Sequence, residues 1–149
     1  MLEMALVLPL VFTTVMGCLE LGLAFNAYLT VISAAREGAR AGALYLYNSN
    51  FSRAANDQNR ESGTGTSVPY TGNIRDTVVA SLGILKGTPP AFDKNSDVTV
   101  TYYPPDSQME TRSGDLVTVQ VVYRYRPISN VLLNGSTITM TARASARIE

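Results

Sequence analysis

The feature that most constrains this chain is an apolar run near its start that passes, with no break signal, into a second helix-forming stretch. Residues 4–25 read MALVLPLVFTTVMGCLELGLAF, and their only ionisable side chains are Glu20 and the thiol of Cys18. At about 1.5 Å per residue this run spans roughly 33 Å, close to the thickness of a bilayer's hydrocarbon core. Residues 26–47 (NAYLTVISAAREGARAGALYLY) hold no proline, are rich in alanine and repeat apolar residues at helical spacing. Tyr28, Val31, Ala35, Ala39 and Gly42 share one face of such a helix, and Arg36 and Arg40 another. The spacing predicts one helix over residues 1–47, roughly 65–70 Å long. A small domain has little use for so long a helix, so a membrane or other chains must cover the remainder.

Five residues of this segment stand out as bearing on assembly. Pro9 falls inside the apolar run, where it removes one backbone hydrogen bond and should kink or loosen the helix. Gly38 and Gly42 are four apart, a spacing that lets helix backbones approach closely, although the alanines around them also read as plain helix formers. Glu3 and Glu20 are carboxylates in an apolar setting, which costs several kcal/mol unless they are neutralised, paired or near the interface. Glu3 reads either as a headgroup-level residue or as an ion-pair partner for the α-amino group of a neighbouring subunit. Glu20 reads as the marker of the membrane boundary.

Composition closes several function classes. Twelve basic and twelve acidic residues cancel, without a basic run, which argues against nucleic acid as a partner. Histidine is absent, and with it the commonest general base and metal ligand at neutral pH. Cys18 is the only cysteine, so neither an intrachain disulfide nor a thiolate zinc site can form. Asp93-Lys94-Asn95-Ser96-Asp97 has oxygen ligands at alternate positions, like the start of a calcium loop, but lacks the glycine and the distal glutamate such a loop needs, and reads as a solvated loop. No catalytic residue, metal site or cofactor is expected, and the chain is not read as an enzyme. A secretory signal peptide fits poorly, because nothing basic precedes the apolar run and the run is too long. Val15-Met16-Gly17-Cys18 weakly resembles a lipidation box, but apolar residues continue well past Cys18.

Residues 48–149 read as a small α+β domain. Residues 48–72, rich in Asn, Ser, Gly and Thr, read as a loop. Residues 73–85 read as a short helix capped by Asn73, with Ile74, Val78, Leu82 and Leu85 on one face and the GTPP at 87–90 as its stop. Three strands with period-two alternation follow, around residues 98–103, 117–126 and 138–148. Their apolar faces and their threonine- and arginine-rich faces predict an antiparallel sheet covered on one side by the long helix, the short helix or both.

The opening residues Glu3-Met4-Ala5-Leu6-Val7-Leu8-Pro9-Leu10 closely resemble the start of TadE-like proteins of tight-adherence (Tad) pilus systems. Ala34-Ala35-Arg36-Glu37-Gly38-Ala39-Arg40 is similar to that family's second hallmark, and the ending, residues 138–149, to its closing strand. The resemblance implies a type IV pilin-like fold, processing by a prepilin-type peptidase, contact with other pilus assembly proteins, and the role of the pilin glutamate for Glu3. That glutamate usually lies fifth after the cut, whereas here it is third in the chain. The expected function is a structural pilin subunit, held in the bacterial cytoplasmic membrane before assembly. It then polymerises through its N-terminal helices into a homo-oligomeric helical filament at the cell surface that supports adhesion. Two alternatives are a minor pseudopilin that primes assembly from the membrane, and a single-span membrane protein whose outer domain binds a ligand. An exposed aromatic patch around Tyr102 and Tyr103 would favour the last.

Overall fold

The computed structural model describes residues 2–63, 73–87, 90–105, 111–128 and 136–149, and of residues 2, 3, 5 and 6 the backbone only. The long helix forms but stops short of the expected residue 47: α1 runs over Leu2–Ala43, 42 residues without interruption, and Tyr45 beyond it turns to meet Asn56 and Arg60. Its C-terminal half carries a stripe of small buried residues, Ala27, Val31, Ala34, Ala35, Ala39 and Ala43, at the three- and four-residue spacing of one helix face. Tyr28 lies off this stripe and is exposed, the buried position being its neighbour Ala27. Small side chains on that face let α1 lie close to its partners, which are α3 (Ile74–Leu82), β2 (Leu116–Tyr125) and β3 (Ile138–Arg147).

The domain that holds this half of α1 has two short helices and one sheet. Helix α2 spans Arg53–Ser62 and α3 spans Ile74–Leu82, with a 3-10 turn at Gly83–Gly87. The α3 cap is the expected one: Asn73 is extended, and its side chain accepts from the Asp76 amide at 2.7 Å. Ile74, Val78 and Leu82 form the buried face of α3. Helix α2 departs from the reading of residues 48–72 as loop. Ser52 caps its start, and Gly63, in the left-handed region at φ 63°, closes its end with a bond to the Asn59 carbonyl. Its buried residues are Asn56 and Arg60, so it shows no apolar periodicity to read. The remainder of that loop, residues 64–72, lies outside the described residues, as do residues 88–89 of the GTPP stop.

Strands β1 (Val98–Tyr103), β2 (Leu116–Tyr125) and β3 (Ile138–Arg147) form one antiparallel sheet in that order. Register places Val100 opposite Val119, and Val119 opposite Ala144. Val98, Val117, Val119, Val121 and Tyr123 point into the core, with Ile74, Val78 and Leu82 of α3 and the α1 stripe on the same side. The other face is polar: Thr118 and Ser145 hydroxyls meet at 2.8 Å, and Arg143 Nε donates to Gln120 Oε1 at 2.7 Å. The chain end closes on β2, where the Ile148 amide donates to the Asp115 carbonyl and Gly114 donates to the Ile148 carbonyl.

Candidate functional site

The N-terminal half of α1 is the part of the molecule its own domain does not cover. Between Met4 and Phe25 most of the large apolar side chains among the described residues are exposed, Leu8, Phe12 and Leu21 by 70% or more, while Met16 is half-buried. It is the one helix among the described residues that is long and apolar enough to cross a membrane, and the apolar stretch is unburied. Its polar side chains are dealt with internally. Thr13 and Thr14 hydroxyls donate to the carbonyls of Pro9 and Leu10 at 2.8 and 2.9 Å, which lets both lie in hydrocarbon without an unmet donor. Pro9 is accommodated within α1, which stays helical on both sides of it.

Glu20 lies where the uncovered half of α1 meets the domain. Its Oε1 accepts from the Tyr125 hydroxyl at 3.1 Å and from the Ile128 amide at 2.8 Å. Two donors from the end of β2 thus meet the one carboxylate of residues 4–25, satisfying a group that would otherwise be costly at the edge of an apolar phase. Burial and then the hydrogen bond to Glu20 push the Tyr125 phenol up to about 12. Cys18, two residues before Glu20, is exposed on the rod.

Gly38 and Gly42 do allow a close approach, and here it is to the chain's own α3. A Cβ on Gly38 would fall 2.6 Å from Val78 Cγ2, and one on Gly42 would fall 2.8 Å from Ile74 Cδ1. Gly17 and Gly22, on the uncovered half, have nothing of this chain within 4 Å of such a Cβ. The backbone of Glu3 is in α1, while its side chain lies outside the described residues.

A second polar cluster, which the sequence pattern did not single out, ties α2 to the sheet. Asn56 Nδ2 donates to the carbonyls of Asn48, Phe51 and Ser52, while its Oδ1 accepts from the Asn48 amide at 3.0 Å. Arg112 Nε donates to both oxygens of Asp57 at 3.0 and 2.9 Å, and its guanidinium stacks over the Tyr102 ring at 4.4 Å. Arg60, almost wholly buried, faces the rings of Tyr45 and Tyr102 at 5.1 and 5.8 Å. Burial raises the Glu61 carboxyl above its ordinary value and carries the Tyr102 phenol well above its own. Tyr102 is therefore part of this cluster, and only Tyr103 of the pair stands exposed, at 72%.

The calcium-like loop uses its carboxylates on itself. Asp93 accepts from the Asn95 amide and the Ser96 hydroxyl, while Asp97 accepts from the Asp93 amide and from Arg124 at 2.7 Å. These bonds hold the Asp93 carboxyl below its ordinary value, the Asn95 amide first.

Residues 1–40 match the family model of TadE-like proteins, the family that the opening octapeptide and residues 34–40 resemble. The match covers the uncovered rod and most of the α1 segment clamped in the domain. No curated protein and no solved structure matches the chain.

Proposed function

We propose that this chain is a structural subunit of a Tad-type pilus, which polymerises through the uncovered half of α1 into an extracellular filament that supports adhesion. The observation that carries this reading is the exposed apolar surface from Met4 to Phe25, in a segment that matches the TadE-like family. In water that surface is unfavourable at about 25 cal/mol per Å². Before assembly the cytoplasmic membrane covers it, and in the fibre the rods of other copies do. The α+β domain then forms the outside of the filament. A prepilin-type peptidase and the other pilus assembly proteins are its partners on this route.

A second reading, favoured by the match to TadE-like proteins, is a minor pseudopilin that stays in the membrane and primes a fibre built from another subunit. Electron microscopy of filaments sheared from cells, with mass spectrometry of the same fraction, separates the two. A dominant share of this chain in a thin fibre supports the structural subunit. A trace share there, with abundance in the membrane fraction, supports the priming role and removes the first.

A further inference from the structure

The length of the uncovered rod sets where the membrane surface falls on the domain. Glu20 is the first α1 residue bonded to the domain, and Ala24 and Ala27 are the first to pack on its core, which leaves the rod ahead of Glu20 to the membrane. At about 1.5 Å per residue, residues 2–19 span roughly 27 Å, close to one hydrocarbon thickness. With the rod inserted, the underside of the domain is brought to headgroup level. Three segments converge there on an open groove of about 540 Å³: α1 near Leu23, the 3-10 turn after α3, and the end of β2. Two large apolar side chains on this groove have little cover among the described residues, Ile84 at 90% exposure and Ile128 at 67%. Arg126 lines the same groove, and Lys86 follows Ile84 in the same turn, both exposed. Among the described residues neither cation has an ion-pair partner, and none of those that line the groove is a carboxylate.

From this placement we infer that the underside of the domain is a membrane-docking surface: Ile84 and Ile128 enter the interfacial layer of an anionic phospholipid leaflet while Arg126 and Lys86 meet its phosphates. Apolar tips beside cations are what an anionic interface binds, the stems lying in the acyl boundary and the charged ends among headgroups. The rod of a second copy is the weaker fit. Its only carboxylate between Met4 and Phe25 is Glu20, so a second rod brings the two cations one carboxylate that its own domain already binds through Tyr125 and Ile128. The docked domain is held at a fixed height, with Glu20 just below the lip of the groove.

The inference rests on the membrane-anchored reading of the rod, and the test separates the two. Full-length protein is placed at one chain per nanodisc in phosphatidylcholine, with or without phosphatidylglycerol. Nitroxide labels are attached at Ile84→Cys, Ile128→Cys, Leu10→Cys or Ser113→Cys in a Cys18→Ser background, Ser113 being at the far end of β2 from Tyr125. Collision with oxygen and with a water-soluble nickel chelate is then read by power saturation. The expected result is a Leu10 label in hydrocarbon, and nickel collision at 84 and 128 several-fold below that at 113. The shielding should deepen with phosphatidylglycerol and lose that gain in the Lys86→Gln/Arg126→Gln variant. Nickel access at 84 and 128 equal to that at 113, with Leu10 deep, overturns the docking surface and leaves the anchored rod standing. A Leu10 label in water overturns both. Shielding that appears only with two chains per disc, with dipolar broadening between labels, assigns the groove to a second copy and overturns the membrane as its occupant.

Discussion

Glu20 and Tyr125 are 105 residues apart in sequence and meet at the base of the domain, the phenol donating to the carboxylate at 3.1 Å. With the Ile128 amide on the same oxygen, this contact ties α1 to the domain just ahead of the residues that pack on the core. Tyr125→Phe removes one donor from a charged acceptor and is expected to cost about 1.5 kcal/mol. The chain has no tryptophan, so unfolding in detergent micelles is best followed by far-UV circular dichroism. Replacing Glu20 by Gln should lower the Tyr125 titration from about 12 while leaving it above 10.0, because burial, the larger cause, remains.

The four α1 glycines should divide by their surroundings. Gly38→Ala drives a methyl to 2.6 Å from Val78 Cγ2, and Gly42→Ala one to 2.8 Å from Ile74 Cδ1. Each is expected to lose about 1–3 kcal/mol through overpacking. The Gly38→Ala cost should shrink in a Val78→Ala background, a coupling a double-mutant cycle reads directly. Gly17→Ala and Gly22→Ala meet open space. They should raise helix stability by roughly 0.5–1 kcal/mol and leave the fold intact in thermal melts.

Glu3 lies near the start of the rod, in the position that the family resemblance gives to the pilin glutamate. Glu3→Ala is expected to reduce the yield of sheared filaments while the circular dichroism of the purified chain stays that of wild type. A fibre yield undiminished by this change would remove the ion pair between subunits.

Arg112 is held in the left-handed region at φ 54°, where only its contacts justify a side chain. Those contacts are the two-oxygen grip on Asp57, the approach to Asp115 at 3.5 Å and the stack on Tyr102. Arg112→Ala leaves Asp57 with only its longer, 3.4 Å contact to Arg60 and should cost about 3 kcal/mol. Arg112→Gly, relieved of the φ strain, should cost less than Arg112→Ala by chemical denaturation.

What could be read from the residues follows from where each element finds its stability. Helix α1 announces itself because apolar and small residues run along it for 42 residues, and α3 because Asn73 caps a regular apolar face. Alternation exposed all three strands, since one side of the sheet is core and the other solvent. Helix α2 stayed hidden because Asn56 and Arg60 bury polar atoms in a network that closes only with Tyr45, Tyr102 and Arg112, distant in the chain. Its two local signals, Ser52 before it and Gly63 after it, are common in loops as well. Glu20 stands out in the sequence by its lone charge, but its partners do not. Tyr125 and Ile128 reach it only once the sheet has set where β2 ends. The glycine pair at 38 and 42 spoke of a close helix contact without saying with which helix.

Glu61 gives a pH dependence whose sign can be worked out. Burial raises its carboxyl above 4.5, against the opposing pull of Tyr102 and Arg75. A group raised on folding binds its proton more tightly in the folded state. Its ionisation therefore weakens the fold as pH climbs from about the unfolded value through the raised one, and the weakening is complete above that. Glu61→Gln removes the ionisation and keeps the shape. The variant should be more stable than wild type at pH 7, and the gap should narrow as pH falls through the raised value and close below 4.5, where Glu61 is protonated in both states. Melting curves of the two chains at pH 7, 5.5 and 4 test this. A variant less stable than wild type at pH 7 would mean that the 4.0 Å pair with Arg75 outweighs the burial of the carboxylate.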